Sequence, residues 1–293
     1  MDKIDKIILG SNPFEGVGYM SRAQASHYLE FFSKKENIIA ILEASYNLGI
    51  KSFMCSNNEN ILSALKNFKN TKELSLLPVI PNAYEYARES TEKGVLGTVL
   101  SKAKQINLYR KVRVGMRALA KIQGIVSKDV LTLLTSLMDF EMASFQPYKV
   151  TGVVLHGQVT DLALSSNNRE VINVYQNLVE ERYKATPMLA THNFGTLLPK
   201  LQEWKIKIPV VASFNKKGFV MKPSKEECER LLKETDYTII AKKAMAGGRL
   251  PPEEALQYLV DKNISSVVLG IGALSEAYHT LSVAKSIFLT ENK

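Results

Sequence analysis

Eight short apolar runs, spaced along the whole chain, limit its fold more than any other feature. They are ILGSN at 8–12, SFMCSN at 52–57, LLPVIPN at 76–82, GVVLHG at 152–157, PMLATHN at 187–193, VVASFN at 210–215, TIIAKK at 238–243 and VVLGIG at 267–272. Continuous Val/Ile/Leu runs of this length, separated by helical patterns, read as strands buried on both faces and joined by parallel βαβ crossovers. Eight of them predict an α/β fold, a closed (β/α)8 TIM barrel. A chain of 293 residues fits a single barrel domain over 1–293, since such barrels run to about 250 residues before insertions. The chemistry of such a barrel sits where its strands end, so the polar residues closing each run are the candidate site.

Periodicity places helices at 37–48, 59–68, 169–183, 195–204, 224–235, 251–261 and 275–290. Ser224 with Glu227 has capping-box spacing, and Pro251-Pro252-Glu253-Glu254 is a proline-led first turn. Two segments break the rhythm. Residues 13–33 read as a long aromatic loop, and 83–148 is too long for one crossover. The second predicts a helical insertion after strand 3 whose last helix spans 128–145. Both segments are placed to cover the strand ends.

The net charge of +9 is local: Gly94 to Lys128 holds eight basic residues and no acidic one, which leaves +1 for the rest of the chain. Its single aromatic, Tyr109, offers little for base stacking, so nucleic acid is disfavoured as a partner. Cys55 and Cys228 form no CxxC, and the four histidines form no HxH or HExxH. Neither a structural disulfide nor a zinc site is expected. No run reaches the roughly 18 apolar residues of a membrane span, and the sequence is expected to be soluble and cytoplasmic.

The stretches LGSNPFEG, VVLHG, THNFG, AKKAMAGGRLPPEEAL and ISSVVLGIGALSEAYHTL resemble the aldo/keto reductase superfamily, especially its outlying members that begin LGSNPF. The resemblance covers the barrel apart from 83–148. It implies the barrel fold, a nicotinamide cofactor, NAD(P), and four reductase residues: Asp and Tyr after strand 2, Lys at strand 3 and His at strand 4. Here Met54 or Cys55 falls where the Asp belongs, residues 58–60 hold no Tyr, and strand 3 ends Pro81-Asn82 without Lys. Only His156 matches. Standard carbonyl reduction is therefore disfavoured unless another donor, Tyr19 or Tyr84, takes over.

His156 and His192 are the candidate acid–base groups. Lys243, on which the K-x-x-A-x-G-R pattern of the outlying members falls, is the candidate inward lysine of strand 7, either a Schiff-base nucleophile or a charge for an anionic substrate. Gly247, Gly248 and Arg249 after strand 7, with Gly270, Gly272 and Ser275 after strand 8, occupy the usual barrel anion site. Asn12, Asn57, Asn82, Asn193 and Asn215 close five strands as candidate substrate amides. Glu15 and Glu59 are weaker candidates for a base, and Cys55 for a nucleophile.

The leading expectation is an enzyme acting on a small anionic carbonyl metabolite, phosphorylated or carboxylated, by acid–base or Schiff-base lyase or isomerase chemistry. The alternatives are an NAD(P)H-dependent oxidoreductase with another proton donor, and a non-catalytic binding protein that uses the basic insertion.

Overall fold

The computed structural model describes residues 4–82 and 130–289. Tyr84, the basic stretch and most of the expected insertion lie outside the described residues.

Eight parallel strands close into a barrel in sequence order. They are β1 (Ile7–Gly10), β2 (Ser52–Ser56), β3 (Ser75–Ile80), β4 (Gly152–Leu155), β5 (Thr186–Ala190), β6 (Val210–Ser213), β7 (Ile239–Lys242) and β8 (Ser266–Gly270). Closure comes from β1 pairing with β8, where Gly10 lies opposite Gly270. Each strand coincides with one of the eight apolar runs. The polar residues that close those runs mostly lie just past the strand, on the rim.

The described helices are α1 (Arg22–Phe31), α2 (Lys35–Asn47), α3 (Glu59–Asn67), α4 (Val130–Phe145), α5 (Gly157–Ser165), α6 (Arg169–Asn177), α7 (Phe194–Trp204), α8 (Lys225–Glu234), α9 (Pro252–Val260) and α10 (Leu274–Phe288). Side-chain caps start several of them, as orphan N–H groups require. Ser224 Oγ accepts from Glu227 N–H at 3.2 Å. Only half of the expected capping box forms, because the Glu227 carboxylate turns to Arg230 instead.

Two differences from the sequence reading matter for the site. Residues 13–33 are not a loop throughout: a 3-10 turn at Asn12–Glu15 leads to α1, capped by Ser21 Oγ. Phe14 of that turn packs against Phe32 and Phe53, ring centroids 4.6 and 6.0 Å away, so aromatic burial fixes the segment over the strand ends. The second difference is α5, which begins immediately after His156 and is absent from the sequence reading. Its capping acceptor is a histidine, and its Thr, Asp and small residues give only a weak helical signal.

Strand pleating sorts side chains into two layers. Ile8, Met54, Leu77, Val154, Met188, Val211 and Ile240 fill the barrel interior. The alternate residues, such as Leu9, Phe53, Cys55, Val153 and Ile239, join the larger core between sheet and helices. Tyr175 of α6 locks these layers together. Its buried hydroxyl donates to Val153 C=O at 2.6 Å and accepts from Met188 N–H at 3.0 Å, bridging β4 and β5. Among the described residues no helix is long and apolar enough to cross a membrane.

Candidate functional site

Continuing the interior alternation by two residues from Met54, Val154, Ala190 and Ile240 puts Ser56, His156, His192 and Lys242 in the top layer of the barrel. All four line one cavity of about 1070 Å³ at the C-terminal ends of the strands. Gly10 and Gly270 share its wall where β1 meets β8. The segment after β1 continues this wall, Pro13 lying against Gly270, and contributes Asn12, Tyr19 and Tyr28 to the lining.

The lysine assignment changes. Ile240 faces the barrel interior, so the inward residue at the end of β7 is Lys242, not Lys243. Lys243 follows with a left-handed backbone, φ 57°, which swings it off the strand and onto the Tyr19 ring, Nζ 4.6 Å from the centroid. Both lysines line the cavity. Burial, with Lys243 beside it, lowers the Lys242 pKa to about 7, while Asp161 opposes the shift. Burial lowers Lys243 to about 8.

His156 caps α5: its Nδ1 accepts from Gln158 N–H at 3.3 Å. That role leaves the proton of the neutral ring on Nε2. Burial, with Lys242 and His192 nearby, lowers its pKa to about 4, so the ring is neutral at physiological pH. His192 sits beside Gly157, where a Cβ would come within 3.2 Å of the imidazole Cε1. The space above Gly157 is thus taken by His192.

Asp161 of α5, to which no motif in the sequence points, stands behind His192 without lining the cavity itself. Its carboxylate accepts from Thr191 Oγ1 at 2.5 Å and from His192 N–H at 3.1 Å, and lies 3.5 Å from His192 Nδ1. Burial would raise its pKa, but the hydrogen bonds from His192 and Thr191 outweigh it and hold the carboxyl below its ordinary value. No sequence signal marks it, because α5 carries only a weak helical pattern and the partners of Asp161 lie about one crossover away.

The asparagines separate into two groups. Asn12 and Asn82 line the cavity; Asn12 Nδ2 donates to Tyr19 Oη at 2.9 Å, and Asn82 N–H donates to buried Glu141 at 2.8 Å. Asn57 and Asn193 lie outside the lining, where Asn193 Oδ1 accepts from Thr196. Asn215 is fully buried, and its amide clamps the Phe219 backbone in both directions, a turn-bracing role. Burial raises the Tyr19 hydroxyl pKa; the Asn12 hydrogen bond offsets this and Glu15 adds to it.

Of the expected anion site, Gly247, Gly248, Gly270 and Gly272 line the cavity, whereas Arg249 and Ser275 do not. The Arg249 guanidinium donates to Ala246 and Tyr19 carbonyls and stacks 4.3 Å over Phe219, tying the β7 loop to the segment after β1. At the β8 loop, Gly272 N–H donates to the Glu276 carboxylate at 3.0 Å. The Tyr28 hydroxyl lies 2.3 Å from where a Gly272 Cβ would stand. Glu15 also lines the cavity, holding Ser11 Oγ at 2.9 Å, whereas Glu59 does not. Cys55 faces the helical layer, and burial, with Glu15 adding to it, pushes its thiol pKa well up, which suits packing rather than nucleophilic attack. Among the described residues no cluster of three or more His, Cys, Asp or Glu could hold a metal ion.

The family models show no match to this sequence, and none of the curated proteins matches it either. Solved structures do match. A Pseudomonas aeruginosa protein described as an aldo-keto reductase superposes with a TM-score of 0.57 at 13% identity, covering 97% of this chain and 91% of that one. The holo form of an aldo-keto reductase from Bacillus halodurans gives a TM-score of 0.55 at 13% identity, covering 97% and 88%. At that identity the likeness is one of fold: this chain has the (β/α)8 barrel of the aldo-keto reductases.

Proposed function

We propose that this chain is a barrel enzyme that acts on a small anionic carbonyl compound by forming an imine on Lys242. The observation that carries this reading is Lys242 itself, a desolvated amine at the inward end of β7. Its pKa of about 7 leaves about half of it unprotonated at neutral pH, and an unprotonated lysine is the nucleophile that imine chemistry needs. Lys242 Nζ attacks the carbonyl carbon, the C=O π pair moves to oxygen, and the neutral His156 donates a hydrogen bond from Nε2 to that oxygen. The carbinolamine then loses water, with C=N replacing C=O. Lys243, held against Tyr19, supplies positive charge for the substrate's carboxylate or phosphate. Aldol cleavage or isomerisation through the resulting enamine needs no external oxidant or reductant.

The test is borohydride trapping with a panel of small oxo acids and sugar phosphates, followed by peptide mass spectrometry. Reduced adduct on Lys242, lost in Lys242→Met, is the expected result. Turnover of a panel member with no adduct on Lys242 sinks the imine reading.

A second reading, hydride transfer with a nicotinamide, draws on the reductase-like fold and on a cavity larger than a small metabolite needs. The residues present fit a dinucleotide only in part. Gly247 and Gly248 offer backbone to a pyrophosphate, but the Gly272 N–H of the loop leading into α10 is already taken by Glu276, whose charge repels a 2′-phosphate. The sequence has no Asp, Tyr or Lys where the resemblance implies them after strands 2 and 3, which weighs against standard reduction.

A further inference from the structure

We infer that Asp161 is the positioning residue for proton abstraction by His192. The inference rests on the imine reading and adds the step that follows it. Asp161 meets His192 at two points on one carboxylate oxygen, the backbone N–H at 3.1 Å and Nδ1 at 3.5 Å. Its other oxygen is anchored by Thr191 Oγ1, the residue immediately before His192. The carboxylate is thereby tied to the end of β5 through backbone and side chain together, and Nδ1 is directed to it. Nε2, on the far side of the ring, is then the nitrogen available to a substrate in the cavity that His192 lines. Gly157 makes this placement possible by leaving the ring room over the start of α5.

Three titratable groups among the described residues surround this ring. Asp161 faces His192 from α5, His156 stands at the end of β4, and Lys242 is on β7. Among the described residues the carboxylate that faces an imidazolium formed in the reaction is Asp161. In the step itself, His192 Nε2 takes the proton from the carbon next to the iminium. The C–H pair becomes the C=C bond of an enamine, and the iminium π pair moves to Lys242 Nζ. The proton rests on His192, whose Nδ1–H faces Asp161. Asp161 never touches the substrate; it sets the ring's orientation and balances its charge, as a carboxylate behind a catalytic histidine does.

The experiment uses the full chain with pyruvate and with dihydroxyacetone phosphate in D2O. Deuterium entering the carbon next to the carbonyl is followed by NMR, and borohydride adduct on Lys242 is measured in parallel. Wild type is expected to show both. Asp161→Asn and His192→Gln are expected to keep the adduct within about twofold while exchange falls about 100-fold, the scale of a lost general base. Retained adduct reports a folded, competent pocket, so a merely structural role for Asp161 would lower both signals together. Exchange unchanged in Asp161→Asn, or adduct without exchange in wild type, overturns the inference and leaves the imine reading standing. Absence of adduct with both probes overturns the imine reading and the inference with it.

Discussion

The backbone N–H of Gly272 donates to the carboxylate of Glu276 at 3.0 Å, so a negative charge from the first turn of α10 is held against the loop that leads into that helix. A helix N-terminus ordinarily attracts phosphate, and here the Glu276 carboxylate beside it opposes that attraction. NADPH is therefore expected to bind more weakly than NADH by about tenfold or more, the cost of one like-charge contact at short range. Glu276→Gln is expected to narrow the gap. Fluorescence titration with both dinucleotides measures it, and tighter binding of NADPH by the wild type would contradict this account of the β8 loop.

Lys242 carries a prediction about pH. The reactive form is the free amine, so borohydride-trapped adduct should rise with pH through about 7 and level off above it. A lysine in ordinary surroundings would still be rising near pH 9. An adduct yield that climbs steadily between pH 8 and 10 would show that Lys242 is not desolvated.

The same burial has a consequence for stability. Between the folded pKa of about 7 and the higher unfolded value, the unfolded chain binds more protons, so this group's contribution to stability rises with pH across that window. Below it the buried ammonium costs its full desolvation. Lys242→Met is expected to raise the Tm more at pH 6 than at pH 9, at about 2–4 °C per kcal/mol for a chain of this size. Calorimetry at the two pH values decides it, and a gain that is equal at both removes the argument.

His156 is neutral throughout the physiological range, since its pKa lies at about 4. Its contribution is a hydrogen bond, not a titrating charge. His156→Ala is expected to lower kcat by about 100-fold, the scale of a lost oxyanion donor, with the limb of the rate profile near pH 7 left in place. Disappearance of that limb in the variant would assign it to His156 instead of Lys242.

Tyr175 bridges β4 and β5 through one buried hydroxyl. Tyr175→Phe removes the acceptor of Met188 N–H and the donor to Val153 C=O without changing the packed ring. The expected loss is about 1–3 kcal/mol, that of buried partners left unpaired, measured by urea unfolding. A change under about 0.5 kcal/mol would show that the two backbone groups find other partners.

The fold was legible because each strand of the barrel is an unbroken apolar run, and eight such runs admit few arrangements. His156 and His192 were legible for the same reason: residues closing a run fall on the rim, and both line the cavity. The choice between Lys242 and Lys243 was not. A strand covered on both faces shows no polar–apolar alternation, so Ile239 and Ile240 look equivalent in sequence, and only the barrel interior shows that Ile240 is the inward one. The asparagines misled for a related reason. Asn215 closes a run just as Asn12 does, but it spends its amide on the Phe219 backbone.

By itself, then, the sequence determined a parallel barrel and the ring of positions where its chemistry can lie, because burial on two faces leaves a composition signal that local reading detects. The tertiary structure decided which members of that ring meet. It turned Lys242 inward, closed the β8 loop with Glu276, and brought Asp161 of α5 to His192 at the end of β5. These are pairings across crossovers, set by strand phase and helix docking, and neither leaves a trace in the local pattern of residues.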